Sequence, residues 1–517
     1  MIRIPLQDRT VPAVLASSQA RGGQRPFLVA PGERYSHAQA EEIIASLAGA
    51  LAGRGIRRGT RVALLVERSV RTVLVLLALA RLGAVAVVLN TDAKGKVLTY
   101  YLEDSASEFG LVDDRHGATF AQAAAQAGGP PAIHLHAGGQ WIGRIGPGSP
   151  RLADGTVEFW EPFVVLYTSG TTGMPKGVPI SHAHAITCGA IWADFMGFGV
   201  EDRLYTCLPF FHINATAYSL CGALVSGASL AVGPHFSATS FWADVAELRA
   251  TQINGMGSML KILQSREPVA GERSHGARTM FIAPMPPDAA DLSRRFGLHF
   301  STTYGQTEWI PSSLTKPGEG YDRPGGTGPI LPYSELQIVG QHDEPVTPGT
   351  KGEITLRSRE PYTTFTSYLG KPKETVEAFR NLRFHTGDLG EVSEDGWLYF
   401  RGRAGDVIRR RGENISPQVV EESLCAHSDI AEVAAVAVPS ELMEDDVFVY
   451  VMLREGTEMS PEQLITYARE VLPRYMVPRY AQFIADLPRT ATNKVAKALL
   501  KEQATNDLRA GRVRELS

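Results

Sequence analysis

Apolar residues in the first third of the chain come in two alternating forms. From Ser36 to Leu51 they recur at helical spacing, with Ser36 placed to cap the start. Arg61–Val66 (RVALLV) and Ala84–Leu89 (AVAVVL) are short and almost continuously apolar, and Ser69–Leu82 between them reads as a helix. Strand, helix and strand at this spacing predict a βαβ unit. Uninterrupted apolar strands predict a parallel sheet covered on both faces. The strand signal returns at Phe163–Tyr167, Leu204–Leu208, Ser229–Val232 and Thr279–Ala283, while residues 128–150 read as a long loop or an irregular edge.

Further along, residues 316–333 form a Gly/Pro-rich connector. Strands at Glu335–Val339, Glu353–Arg357 and Trp397–Arg401, with turns between them, predict a smaller β-rich subdomain. From about Gly402 the pattern becomes a mixed unit: a helix at Pro417–Ala426, strands at Val433–Val438 and Phe448–Leu453, and a helix at Ser460–Val471 with a Ser/Pro start. The polar tail after Leu500 is expected to fray. Val73–Leu89 is the most apolar stretch, but Arg81 and Gly83 interrupt it and it falls short of the ~20 residues that span a bilayer. The N-terminus lacks the apolar core of a secretory signal.

Composition narrows the class. The 517 residues suffice for about three or four domain-sized units. A formal net charge of −4 gives no reason to expect nucleic acid or an anionic membrane as partner. The 4 cysteines, Cys188, Cys207, Cys221 and Cys425, have no CxxC spacing and are too few for a disulfide framework, so buried free thiols are expected. A cytoplasmic protein fits this composition.

One segment carries clear chemistry. Leu166–Val178 (LYTSGTTGMPKGV) follows a buried strand with glycines, hydroxyl side chains and a nearby lysine. Glycine permits positive φ, so such a loop can turn several backbone N–H groups and hydroxyls toward one anion, and phosphate oxygens are its natural guest. It is not the loop of ordinary P-loop NTPases, because Pro175-Lys176-Gly177 stands where Gly-Lys-Ser/Thr is required. Nor does a dinucleotide fingerprint occur: Gly255-Met-Gly257 reaches Leu260 where glycine is needed.

This loop resembles the phosphate loop of the adenylate-forming superfamily, which includes acyl-CoA synthetases, peptide-synthetase adenylation domains and beetle luciferases. Tyr304-Gly-Gln-Thr-Glu308, His385-Thr-Gly-Asp388, Tyr399-Phe-Arg-Gly-Arg403, Asp406–Pro417 and Leu487–Lys494 resemble further elements of that superfamily, in its order. The resemblance implies a large N-terminal domain of stacked α/β sheets with a small β-rich subdomain (residues 1–403). A mobile α+β C-terminal domain (404–517) would carry the catalytic lysine. It implies a two-step reaction, in which a carboxylate attacks the α-phosphorus of ATP and a thiol then takes the acyl group and releases AMP.

By the same resemblance, Thr168, Ser169, Gly170, Thr171, Thr172 and Gly173 would cradle the β- and γ-phosphates, with Lys176 adding charge. Glu308 would hold Mg²⁺, Thr307 would touch the α-phosphate, and Tyr304 would stack on adenine. Asp388 would accept from the ribose hydroxyls with Arg403 beside it, and Lys494 would reach the α-phosphate and the carboxylate. His212, in Leu208–Ala215, is either a gate to the acid site or a satisfied core residue. Met256, Gly257, Ser258, Trp309 and Ile310 are candidates for the acid pocket. Arg409, Arg410 and Arg411 would meet CoA phosphates or form a solvated basic face. Two positions depart from the superfamily pattern: Gly405 at the hinge, and Asn493 where glycine usually precedes the lysine. Asn, like Gly, tolerates left-handed φ. Residues 212–215 and 254–263 look most like carnitine/crotonobetaine-type ATP-dependent acyl-CoA ligases. The leading expectation is an AMP-forming ligase joining a small or medium acid to CoA, with a homodimer compatible. The alternatives keep ATP and change the acid or acceptor: nitrite activation for diazotisation, carrier-protein loading, or amide formation.

Overall fold

The apolar runs at 61–66, 84–89 and 163–167 lie side by side in one sheet. The computed structural model describes residues 2–93, 95–137, 140–142, 156–168, 175–269, 271–403, 408–410, 413–415, 417–440, 445–472, 476–490, 493–513 and 515–516. This six-stranded sheet has the spatial order Lys176–Ser181, Pro162–Thr168, Val85–Val88, Arg61–Leu65, Phe109–Val112 and Ala132–His134. Its strands are parallel except for the first pair. A seven-stranded sheet is ordered His299–Ser301, Thr279–Phe281, Gln252–Asn254, Arg203–Thr206, Ser229–Val232, Pro26–Ala30 and Glu33–Ser36. It too is parallel, except for the hairpin that ends it.

Helix Val70–Leu82 packs on helices Val11–Gly22 and His37–Ala52 and touches Pro26–Ala30 of one sheet and Val85–Val88 of the other. Everything from Thr72 to Arg81 is buried, so this helix needs no polar face. Arg81 donates to Glu41 Oε1 at 2.6 Å, and Gly83 ends the helix at φ +67°. The segment that approached membrane length therefore fills a layer between sheets. Among the described residues, no helix is long and apolar enough to cross a membrane. Ser36 caps its helix as expected, in a reciprocal box with Gln39, and Ser460 does the same with Gln463.

The β-rich subdomain is an antiparallel sheet of Gly326–Pro329, Trp397–Arg403, Arg383–Val392, Gly352–Ser358 and Ser334–Val339. Its first strand lies inside the stretch read as a connector, and Ala132–His134 lies inside the stretch read as a loop or irregular edge. Both sit at sheet edges, where backbone pairing suffices without a long apolar run. The polar tail contains a third difference. Helix Lys497–Arg509 buries Leu500 and Ala504 against Ala434, Val436 and Val438, with Leu508 beside them, an i, i+4, i+8 stripe.

One core runs from Val11 to Leu398, and a separate one starts at Ile408 around the strands Ile430–Pro439, Asp445–Leu453 and Tyr480–Phe483. The architecture is thus a large N-terminal α/β domain and a smaller C-terminal one. The expected division after Arg403 abuts residues 404–407, which include Gly405 and lie outside the described residues. The cysteines are free, with Cys188, Cys207 and Cys221 buried.

Burial holds three core histidines neutral: His182 and His184 fall to about 3 and His37 to about 4. The unfolded chain binds protons at these rings near pH 6.5, so their contribution is full above that value and is lost as the pH falls toward 3. Each ring costs up to about 1.4 kcal/mol per pH unit inside that window. Denaturant midpoints should therefore drop steadily between about pH 7 and pH 5. A flat profile would remove these rings as a cause.

Candidate active site

The strands Pro162–Thr168 and Lys176–Ser181 face each other with Thr168 opposite Lys176. Between them, Ser169, Gly170, Thr171, Thr172 and Gly173 of the expected phosphate cradle lie outside the described residues. The loop's two ends are joined by the Thr168 hydroxyl, which donates to the Lys176 carbonyl at 3.4 Å. Lys176 Nζ stands 4.3 Å from the centre of the Tyr368 ring, a cation–π contact. The Tyr368 hydroxyl in turn donates to Glu308 Oε1 at 3.0 Å. Backbone bonds from Leu369 to Gly177 (2.8 Å) and from Phe365 to Glu308 (2.9 Å) strap this segment across both. Lysine, tyrosine and carboxylate thus form one continuous chain beside the loop.

Glu308 is buried, and Thr307 beside it is half-buried at the turn between strands Thr303–Gln306 and Trp309–Leu314. The same hairpin reaches a second carboxylate. Asp388, 3% exposed within Arg383–Val392, accepts at Oδ2 from the Tyr304 hydroxyl (2.8 Å) and from Gln306 Nε2 (2.5 Å). Its backbone N–H donates to Thr386 Oγ1 at 3.0 Å, and its backbone pairs with Arg403 on the next strand. The Tyr304 ring lies 6.1 Å from Phe400 at 27°.

The third element follows strand Arg203–Thr206. The Phe211 and His212 rings meet edge-on at 4.6 Å, and a π-helix, Asn214–Cys221, begins just beyond. Single-turn π segments recur at functional sites. Burial, then the Lys494 ammonium, lower His212 to about 4. It is therefore a neutral imidazole at neutral pH, offering one N–H and one lone pair. Lys494 belongs to the C-terminal domain and His212 to the N-terminal one, and the ammonium is the lesser of the two influences on the ring. Lys494 is exposed on a turn closed by Thr490 N–H to Lys494 O at 2.7 Å. Asn493 takes φ +60°, the left-handed conformation expected of it.

Other candidates go elsewhere. Trp309 and Ile310 are each 1% exposed. The Trp309 indole donates to Ser334 Oγ at 2.9 Å and lies parallel to Phe384, with centroids 5.4 Å apart. Trp309 is core. Arg410 is bound to Asp446 at 3.0 Å and to the Val477 carbonyl at 2.7 Å, while Arg411 lies outside the described residues. Met256 and Gly257 stand at the start of helix Gly257–Gln264, where Gly257 N–H donates to Ala283 O at 3.2 Å. Two residues of the site were not singled out in the sequence. Gln306 lay within a recognised motif, so its position was available. Tyr368 had no signal, because its partner lies 60 residues away.

A family model described as AMP-binding enzyme matches residues 15–369, and one described as AMP-binding enzyme C-terminal domain matches residues 419–494. The chain belongs to the AMP-binding enzymes. This AMP-binding enzyme is 28% identical over 492 residues to the crotonobetaine/carnitine–CoA ligase of Salmonella arizonae, covering 91% of this chain and 93% of the relative. It is 29% identical over 511 residues to the sulfoacetate–CoA ligase of Cupriavidus necator, covering 96% and 98%. The ATP-bound MatB crystal structure from Rhodopseudomonas palustris shares its fold, with a TM-score of 0.87, 24% identity and coverage of 96% and 99%. As a member of its family, the enzyme is an ATP-dependent, AMP-forming ligase.

Proposed function

We propose that this enzyme activates a small or medium carboxylic acid with ATP and transfers the acyl group to CoA. The observations that support the reading are the two buried carboxylates: Glu308, joined through Tyr368 to Lys176 at the loop's end, and Asp388, held by Tyr304 and Gln306. Joining a carboxylate to a phosphate brings two anions together, so the site must supply oriented charge rather than a strong base. Lys176 and the loop from Thr168 through Ser169, Gly170, Thr171, Thr172 and Gly173 would hold the β- and γ-phosphates. Asp388, held by Tyr304 and Gln306, would take the ribose with Arg403 beside it, and the Tyr304 ring would face adenine. Thr307 would meet the α-phosphate, and Lys494 the charge that develops there. Neutral His212 would border the acid without repelling the lysine.

Glu308 suits Mg²⁺, a hard cation that binds through one carboxylate and substrate phosphates. Among the described residues no group of three or more acidic, His or Cys side chains gathers to hold a metal, so phosphate oxygens would complete its shell. The ion would bridge and neutralise phosphate charge when bound. The reading extends to residues 1–403 and 404–517 as the two moving bodies, to a cytoplasmic setting, to secondary metabolism and to a homodimer.

A second reading keeps adenylation and exchanges the acceptor. Arg410, one of three arginines available for CoA phosphates, is engaged by Asp446 and Val477. Pyrophosphate release with ATP and Mg²⁺ across a panel of acids, nitrite included, with and without CoA, separates the two. A thioester formed only with CoA is the expected result. Turnover indifferent to CoA would establish the second reading, and no acid-dependent release would sink both.

A further inference from the structure

A further buried carboxylate lies beside the phosphate loop, and the chemistry above makes no use of it. Tyr100 and Asp104 occupy positions i and i+4 of helix Gly95–Ser105, so they share one face of it. The Asp104 side chain is 8% exposed, and the Lys371 ammonium donates to its Oδ1 at 2.7 Å. The Tyr167 hydroxyl donates to its Oδ2 at 2.9 Å, and the Tyr100 hydroxyl stands 3.2 Å from Oδ1.

Each of these partners belongs to an element that borders the loop. Tyr167 immediately precedes Thr168, where the loop begins. The Tyr100 hydroxyl reaches the Pro175 carbonyl at 2.8 Å, one residue before Lys176, where the loop ends. Lys371 continues the strap whose Leu369 N–H donates to Gly177 O at 2.8 Å and whose Tyr368 meets both Lys176 and Glu308. Counting protons orders the network. An ammonium only donates, so where Lys371 bonds Tyr100 the phenol oxygen accepts. The single Tyr100 proton then goes to the nearer acceptor, the Pro175 carbonyl, and Asp104 is left with Lys371 and Tyr167. Burial, then the Asp104 carboxylate, raise Tyr167 above the usual phenol range, so its hydroxyl keeps the proton it donates. The Tyr101 ring, 4.4 Å away and 5% exposed, fixes Tyr167 from the side.

We propose that Asp104 is a positioning residue for adenylation, which holds the leading end of the phosphate loop through Tyr167 and the trailing end through Lys371, Tyr100 and Pro175. It touches no nucleotide itself. A loop that binds phosphate through backbone N–H groups works only if its two ends are held at the right separation. A desolvated ion pair contributes little net stability, and what Asp104 and Lys371 supply is geometry. The inference rests on the reading of this loop as the phosphate cradle and adds the residue that sets it.

The test compares the affinities for MgATP and AMP by titration calorimetry on the whole chain. AMP lacks the β- and γ-phosphates, so it reports the nucleoside end of the site and not the loop. Asp104→Asn keeps the shape and an acceptor for Tyr167 but loses the charge that holds Lys371. It should weaken MgATP by about 10-fold or more and AMP by less than about 2-fold. Tyr100→Phe removes the bond to Pro175, leaves the carboxylate in place, and should move the same ratio by about 2- to 10-fold. It reads the ratio if the Asp104 variant does not fold. Equal weakening of both nucleotides, or a ratio unmoved in a folded variant, overturns the inference, because a merely structural carboxylate would not distinguish them. Lys176→Ala and Thr171→Ala probe the loop itself. If both leave the ratio at the wild-type value, the phosphate-loop reading falls and the inference with it. If they lower it while Asp104→Asn does not, the inference alone falls.

Discussion

Replacing Lys494 by alanine should leave the protein folded and cut acid-dependent pyrophosphate release by about 100- to 1000-fold, the usual effect of removing one oriented donor from developing negative charge. The side chain is exposed, and its turn is closed by backbone and by Thr490, so the substitution removes charge and little packing. A second readout tests the placement itself. The Lys494 ammonium is one of two influences that hold His212 near 4, after burial. Its loss should raise the His212 pKa, which NMR titration of the ring would follow. Undiminished release would refute the catalytic role, and an unmoved His212 would refute the proximity in solution.

Glu308→Gln should be nearly as severe, with about a 100-fold or greater loss of pyrophosphate release and a Mg²⁺ requirement shifted to higher concentration. Glutamine preserves volume and still offers an oxygen to the Tyr368 hydroxyl, so the variant isolates the charge. Tyr368→Phe, which removes one hydrogen bond from an intact carboxylate, should cost only about 2- to 10-fold. Equal losses in the two variants would mean that Glu308 acts through packing. Steady-state rates over a Mg²⁺ series, with thermal unfolding as a check on folding, decide between these.

The central strands were legible because each is a continuous apolar run between turn residues, as at 61–65 and 85–88. The strand Gly326–Pro329 was not, since it contributes backbone pairing rather than an apolar face. Helix Lys497–Arg509 was hidden by its composition, though Leu500, Ala504 and Leu508 carried the spacing. Within the site, motif residues converge on two carboxylates, but the sequence could not assign faces. Trp309 illustrates this. It follows Glu308 immediately, yet Glu308 lies in the turn and Trp309 opens a strand that is buried throughout, so period-2 alternation does not assign its face. Only the folded structure shows its stacking on Phe384. Tyr368 was beyond any spacing rule, because only the folded strap brings it to Lys176 and Glu308.

The two cores have a consequence for how such an enzyme diversifies. The acid-site candidates His212, Met256 and Gly257 belong to the large N-terminal domain, whereas Lys494 belongs to the other. A lineage can remodel the acid site without disturbing the hydrophobic interior that presents the lysine, and the lysine serves whichever acid is seated there. Substrate choice and bond-forming power are inherited as separable traits on one polypeptide.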